Sequence, residues 1–107
     1  AVRAATGEAV LLADAKQLPA ALAVLEAART EAEAAGRTRD VAQLWLTKAE
    51  LHEKAAERNA ALEALDRALA AAPGLNAAQL RRGVLRIEAG QLAEGRADLV
   101  AVFERTG

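Results

Sequence analysis

The chain contains no cysteine, serine or tyrosine and only one histidine among its 107 residues. Without cysteine it forms neither disulfides nor thiolate metal sites. The lack of serine and cysteine excludes Ser–His and Cys–His catalytic arrangements, and a single histidine excludes metal sites built from several histidines. The sequence therefore predicts that the protein is not an enzyme and that it carries no cofactor and no metal.

An excess of one charge and long apolar runs are also lacking. The 14 Lys and Arg residues nearly balance the 15 Asp and Glu residues, which gives a formal net charge of −1. A nucleic-acid surface needs clustered positive charge, so we expect no nucleic-acid partner. No run of about 18 apolar residues occurs, so we expect no direct membrane insertion. The sequence predicts a soluble protein and leaves the compartment unknown, because cytoplasm and periplasm fit equally well.

Aromatic residues are scarce, whereas alanine is abundant. One Trp and one Phe are the only aromatic side chains, although apolar residues make up 53% of the chain. Alanine has the highest helix propensity and adds little side-chain volume. The composition therefore predicts an all-α protein whose helices pack closely around a thin core.

Proline and glycine divide the first part of the sequence into predicted helices. The first helix is expected over residues 2–15. The second starts near Leu18, with Pro19 in its first turn, where the missing N–H is tolerated. Gly36 is predicted to end the second helix, because glycine readily adopts the left-handed conformation at helix C-termini.

Polar residues predict the starts of the later helices. Thr38 or Asp40 is expected to cap the third helix, and the fourth is expected over residues 59–71. Asn76 is predicted to cap the fifth helix, which ends at Gly90, and the sixth helix follows directly. Six helices with short connections predict three antiparallel hairpins.

An internal repeat relates the three predicted hairpins. Leu25, Leu65 and Leu99 are separated by 40 and then 34 residues. The same two offsets relate two further sets, namely Ala21, Ala61 and Gly95, and Ala28, Ala68 and Val102. The three second helices therefore occupy equivalent places in the fold.

The middle hairpin carries a spaced pattern of residues: Trp45-x2-Lys48-Ala49-x2-His52, Ala61-x3-Leu65, Ala68 and Pro73. This pattern resembles the tetratricopeptide (TPR) repeat, a helix–turn–helix unit of about 34 residues. The resemblance implies a right-handed α-solenoid of three TPR-like hairpins. It implies a single domain over residues 1–107, with repeats over about 2–41, 42–75 and 76–107.

The last hairpin resembles a variant of the same repeat that contains Arg-Gly, a second Gly and an Asp. Arg82-Gly83, Gly90 and Asp98 stand at these positions. We expect Gly83 to allow the fifth and sixth helices to approach closely. We also expect Arg82 and Asp98 to form a partly exposed ion pair that contributes about 0–1 kcal/mol.

In the TPR family, the first helix of each repeat lines a concave groove that holds a peptide. The resemblance places ten residues of this chain in such a groove: Arg3, Val10, Gln43, Leu46, Thr47, Glu50, Leu80, Arg81, Val84 and Ile87. Leu46 stands among polar neighbours on the third helix, which favours its exposure. Leu80, Val84 and Ile87 form a stripe on the fifth helix. Either this stripe faces the groove, or the helix is rotated and the stripe belongs to the core.

Two further residues invite a functional interpretation and a simpler structural one. His52 is expected to be a packed, partly buried side chain with one local hydrogen bond, rather than a pH sensor or a ligand. Trp45 is expected to pack between the two helices of its own hairpin rather than to form a binding site.

The resemblance favours a protein–protein interaction module that binds a peptide or partner protein in its groove. One alternative is a self-assembly or scaffold domain, a possible homo-oligomer formed through the ends of the array, where Val102 and Phe103 lie. Another is an accessory TPR segment of a larger, enzymatic protein. The chain does not begin with Met, which is expected for a processed protein or an excised piece.

Overall fold

The computed structural model describes residues 2–106, which form six α-helices and no strand. The helices are α1 (Val2–Asp14), α2 (Leu18–Ala34), α3 (Thr38–Lys54), α4 (Arg58–Ala71), α5 (Asn76–Glu88) and α6 (Leu92–Thr106). Each helix packs against the next along the chain, most extensively within the pairs α1–α2, α3–α4 and α5–α6, and α1 also packs against α3. The prediction of an all-α chain built from helical hairpins is therefore confirmed.

The core is divided into two apolar clusters, and α3 contributes to both of them. One cluster joins α1, α2 and α3 and is formed by Ala9, Ala21, Leu25, Ala32, Val41, Leu44 and Leu51. The other joins α3, α4 and α5 and is formed by Leu46, Ala49, Ala61, Ala64, Leu65, Ala68, Leu69, Ala78 and Leu85. Half of these sixteen side chains are alanine, as expected from the composition. The small side chains bring the helix axes close together, so backbone geometry matters at the crossings.

The predicted side-chain caps of α3 and α5 are wrong. Arg37 precedes α3 and Leu75 precedes α5, and neither start has a side-chain cap hydrogen bond. Thr38 and Asp40 lie inside the first turn of α3. The Oδ1 atom of Asn76 accepts hydrogen bonds from Arg105 of α6 instead, at 2.9 Å and 2.7 Å. A tertiary contact has therefore replaced the local cap that the sequence indicated.

Four of the five connections between helices use the same turn. Each contains one residue with positive φ, namely Lys16 (63°), Gly36 (70°), Ala56 (60°) and Gly90 (87°). In each turn the N–H of this residue bonds the carbonyl three residues back, and the next N–H bonds the carbonyl five residues back. This is the Schellman arrangement, which satisfies the last carbonyls of a helix. Alanine at position 56 is strained there, because its Cβ disfavours the left-handed region.

We therefore expect Ala56→Gly to raise the free energy of unfolding by about 0.5–1 kcal/mol, since glycine adopts positive φ without a Cβ clash. The measurement is urea unfolding followed by circular dichroism. The neighbouring Ala55, with φ of −86°, provides the control. Ala55→Gly should lower the stability or leave it unchanged, and equal stabilisation by both variants would contradict this explanation.

A pair of glycines forms the closest contact between α5 and α6. A Cβ atom built on Gly95 would lie 2.6 Å from the carbonyl oxygen of Gly83 and 2.8 Å from Cγ1 of Ile87. One built on Gly83 would lie 2.9 Å from the carbonyl oxygen of Gly95. The expectation that Gly83 allows the two helices to approach closely is therefore confirmed. The contact depends equally on Gly95.

We expect Gly95→Ala to lower the free energy of unfolding by about 1–3 kcal/mol, because two backbones must separate to admit the methyl group. The matched control is Gly7→Ala on α1, where an added Cβ meets no atom within 4 Å. There the gain in helix propensity should stabilise the protein by about 0.5–1 kcal/mol. Thermal unfolding of both variants tests the prediction. The change in stability must be negative for Gly95→Ala and positive for Gly7→Ala.

Candidate binding surface on α1, α3 and α5

The first helices of the three hairpins, α1, α3 and α5, share one face of the molecule. Lys54 of α3 lies 3.8 Å from the carboxylate of Asp14 on α1. Arg81 of α5 lies 3.1 Å from Glu50 and 2.9 Å from Glu53, both on α3. These charged contacts join the three helices side by side on the face that the TPR resemblance designates as a groove.

Two adjoining open depressions lie on this face. The first has a volume of about 450 Å³ and is lined by Val10, Glu50, Leu51, Glu53, Lys54 and Arg81, so all three helices contribute. The second has a volume of about 430 Å³ and is lined by Glu53, Ala56, Arg58, Leu85 and Glu88. Glu53 belongs to both. Arg58 was not predicted, because it begins α4 and reaches this surface only through the turn at Ala56.

Eight of the ten predicted groove residues are exposed or half-buried. They are Arg3, Val10, Gln43, Glu50, Leu80, Arg81, Val84 and Ile87. Val10, Glu50 and Arg81 line the first depression together. Gln43 lines a separate depression beside the α4–α5 connection, and Arg3 does not line the first depression.

Leu46 and Thr47 are not surface residues, so the prediction that they contact a ligand is wrong. Leu46 is 4% exposed and belongs to the core cluster that includes Ala78 and Leu85 of α5. Thr47 is 1% exposed, and its hydroxyl donates to the Gln43 carbonyl at 3.1 Å. Polar neighbours along α3 suggested a solvated position for Leu46, but packing of α5 against the middle hairpin covers it.

The apolar stripe of α5 lies on the exposed side of that helix. Leu80 and Val84 are each 44% exposed and Ile87 is 37% exposed. The buried side of α5 is formed by other residues, namely Ala78, Gly83 and Leu85. Of the two alternatives left open by the sequence, the rotated helix with a buried stripe is therefore contradicted.

The internal repeat separates the members of this stripe. Val84 is equivalent to Val10 and Glu50, which line the first depression. Leu80 is equivalent to Leu46, which is buried by the following hairpin. Leu80, Val84 and Ile87 line neither of the two depressions. The repeat equivalence alone relates Val84 to the first depression, and it places Leu80 at the outer margin of this face.

A buried carboxylate determines which side of α5 faces outward. Asp98 of α6 is 4% exposed and accepts four hydrogen bonds. Arg82 donates two of them, at 3.0 Å from Nε and 2.8 Å from Nη2, Arg86 donates one at 2.9 Å, and Gln79 donates one at 3.2 Å. Arg82 also reaches Asp66 on α4 at 3.0 Å. The predicted Arg82–Asp98 contact is confirmed, but the carboxylate is buried rather than partly exposed.

These hydrogen bonds and charges alter the acidity of Asp98. Burial by itself would raise the pKa of the carboxyl group, because it disfavours the charged form. The hydrogen bonds from Arg82 and Gln79 and the charges of Arg82 and Arg86 outweigh burial and lower the pKa below its ordinary value of 3.8. The folded state therefore stabilises the ionised form of Asp98 relative to the unfolded chain.

This shift predicts a specific loss of stability in acid. Because the pKa of Asp98 is lower in the folded state, its stabilisation is complete above about pH 4 and is lost as the pH falls through the folded-state pKa. Asp98→Asn should cost about 3 kcal/mol at pH 7, since two arginines lose their shared partner. The difference between wild type and variant, measured by urea unfolding from pH 7 to pH 2, should shrink in acid. A constant difference would contradict the prediction.

His52 and Trp45 occupy structural positions. His52 is 8% exposed, and its Nδ1 lies 2.7 Å from a carboxylate oxygen of Glu57 in the following turn, which confirms the expected buried side chain with one local hydrogen bond. Trp45 is half-buried and packs against both core clusters. Its ring also contacts Arg29 of α2, at 4.7 Å from the ring centroid, so it packs beyond its own hairpin.

The described part of the chain contains neither a candidate metal cluster nor a candidate membrane-crossing helix. Between residues 2 and 106, no cluster of three or more His, Cys, Asp or Glu side chains is arranged to hold a metal ion. None of the helices formed by these residues is both long and apolar enough to cross a membrane.

Comparisons of the sequence with protein-family models, with curated proteins and with solved structures give no significant match.

Proposed function

We propose that the protein is a TPR-like interaction module that binds a peptide or a segment of a partner protein on the surface formed by α1, α3 and α5. The observation that carries this proposal is the exposure of Val84 and Ile87 on α5, the helix whose Arg81 lines an open depression together with residues of α1 and α3. Adjacent apolar side chains left in water on a concave, partly charged surface are typical of peptide sites.

The charges of the surface suggest the chemistry of the ligand. Arg81 is already paired with Glu50 and Glu53, and Lys54, the other base of the first depression, lies 3.8 Å from Asp14. These three carboxylates exceed the two bases by one formal negative charge. A ligand carboxylate would have to displace these partners, whereas a ligand Lys or Arg meets unneutralised negative charge. We propose an extended or helical segment with apolar anchors for Val84 and Ile87 and at least one basic residue.

The repeat supports the proposed architecture. The positive-φ residues Lys16, Ala56 and Gly90 are separated by 40 and 34 residues, the offsets that also relate Leu25, Leu65 and Leu99. Each hairpin packs mainly on its sequence neighbour, as expected for stacked repeats. We propose a right-handed solenoid of three units on this basis, without catalysis or a cofactor of its own.

The test uses two valines of similar exposure on different helices. Val84 of α5 is 44% exposed and lies on the proposed binding surface, whereas Val100 of α6 is 48% exposed and lies elsewhere. Peptides selected from a random display library by the native protein would be titrated by fluorescence anisotropy. We expect Val84→Glu to weaken binding by about tenfold or more, because it places a charge against apolar anchors. Val100→Glu should bind as the native protein does.

Circular dichroism would establish that both variants are folded. Selected peptides should be enriched in apolar residues and in Lys or Arg. Equal affinity for the native protein and for Val84→Glu would move the contact away from this surface, and loss of binding in both variants would indicate a general effect of added negative charge. Failure to select any peptide would refute the proposal.

A further inference from the structure

The two ends of the helical array carry exposed apolar residues at positions that are contact positions inside the array. Leu11 on α1 and Phe103 on α6 are each 71% exposed, more than any other large apolar residue among those described. The internal repeat assigns each of them an equivalent in the middle of the chain. Those equivalents show what such positions contact when a neighbouring hairpin is present.

The residues equivalent to Phe103 and Val100 lie on α2 and α4, the second helices of the first two hairpins. In both helices they contact the hairpin that follows. Phe103 is equivalent to Arg29 and to Leu69. Arg29 lies over the ring of Trp45 on the next hairpin, and Leu69 belongs to the cluster that joins α4 to α5. Val100 is equivalent to Asp66, which accepts a hydrogen bond from Arg82 of the next hairpin.

The residues equivalent to Leu11 and Ala4 lie on α3 and α5, the first helices of the second and third hairpins. In these helices they face the preceding hairpin. Leu11 is equivalent to Leu51 and Leu85, which are 1% and 6% exposed. The exposed Ala4 is equivalent to Leu44, which lines a small cavity together with Leu25 and Arg29 of the preceding hairpin. The outer faces of α1 and α6 are therefore the two halves of one type of contact, which occurs twice within the chain, at α2–α3 and at α4–α5.

We propose that the outer face of α6 in one copy of this protein docks the outer face of α1 in a second copy, head to tail. Phe103 and Val100 of one copy then cover Leu11 and Ala4 of the next, continuing the α2–α3 and α4–α5 contacts across the junction. Such a contact is heterologous, so it leaves one free end on each side and adds further copies rather than closing as a dimer.

The charges at the two faces are compatible with this contact. Inside the chain, Arg82 on a first helix meets Asp66 on the preceding second helix at 3.0 Å. At the junction the equivalent positions are Glu8 on α1 and Val100 on α6, so this ion pair is not repeated there. Arg96, one turn before Val100, is the basic residue of α6 nearest to that position along the helix.

The inference does not depend on peptide binding, because it uses neither Val84 nor Ile87. Sedimentation velocity of the native chain over about 10 µM to 1 mM should show a mass that rises with concentration beyond that of a dimer. Leu11→Arg disrupts the contact face on α1 and leaves the one on α6 intact, and Phe103→Arg does the reverse. Each variant alone should remain monomeric over the same range, whereas their mixture should form a one-to-one dimer and stop there.

The alternatives give different results in the same experiment. A native protein that is monomeric at every concentration overturns the proposal. Association that survives in Leu11→Arg and is lost only in Phe103→Arg indicates an α6–α6 contact, and also overturns it. Val84→Glu should associate as the native chain does, whereas Val100→Glu should associate more weakly. Loss of association in Val84→Glu but not in Phe103→Arg would assign the contact to the peptide-binding surface instead.

Discussion

The hydrogen bonds of the buried Asp98 carboxylate hold α5, which carries part of the candidate binding surface, against α6. In the last hairpin Gly83 and Gly95 meet at the positions that Ala49 and Ala61 occupy in the middle hairpin, so these two residues bring no side chain to the contact. The Asp98 carboxylate supplies what apolar packing lacks there, since its hydrogen bonds with Arg82, Arg86 and Gln79 join three turns of α5 to α6. A buried ion pair of this kind adds little net stability but strongly penalises other helix rotations. With Gln79, Arg82 and Arg86 directed at Asp98, Val84 and Ile87 remain exposed on α5.

The remainder of the fold is held by short-range geometry. Alanine at the helix crossings leaves few large apolar contacts that would favour one packing of the helices over another. The turns therefore contribute much to how successive helices are placed. Four Schellman turns with one positive-φ residue each connect successive helices through the same pair of backbone hydrogen bonds. The connection between α4 and α5 differs and contains Pro73 and Gly74 instead. In the middle, α3 belongs to both core clusters, and Trp45 contacts both.

Repetition relates the two proposals to one another. Equivalent positions in the three hairpins have the same local structure but different neighbours, and the neighbour determines what each position does. Val84 is exposed, and its equivalents Val10 and Glu50 line a depression instead of being buried by a neighbouring hairpin. Positions such as Leu11 are open although their equivalents, Leu51 and Leu85, are buried. The first kind of exposure is built into the repeat and suits a ligand, whereas the second suits another copy of the repeat.

The sequence by itself determined the six helices, their connections and the equivalence of the three hairpins, because alanine content, proline, glycine and apolar spacing act over a few residues. It also predicted Arg82 with Asp98, the close approach at Gly83 and the outward stripe as one of two alternatives. Only the tertiary structure decided that Leu46 is buried while its equivalent Leu80 is exposed, because α5 packs over Leu46 and none of the described helices covers Leu80 in the same way. It likewise decided that Asn76 bonds Arg105 instead of capping α5, and that Arg81 is neutralised by two carboxylates of α3. Such contacts join residues about 30 positions apart, and no local pattern encodes them.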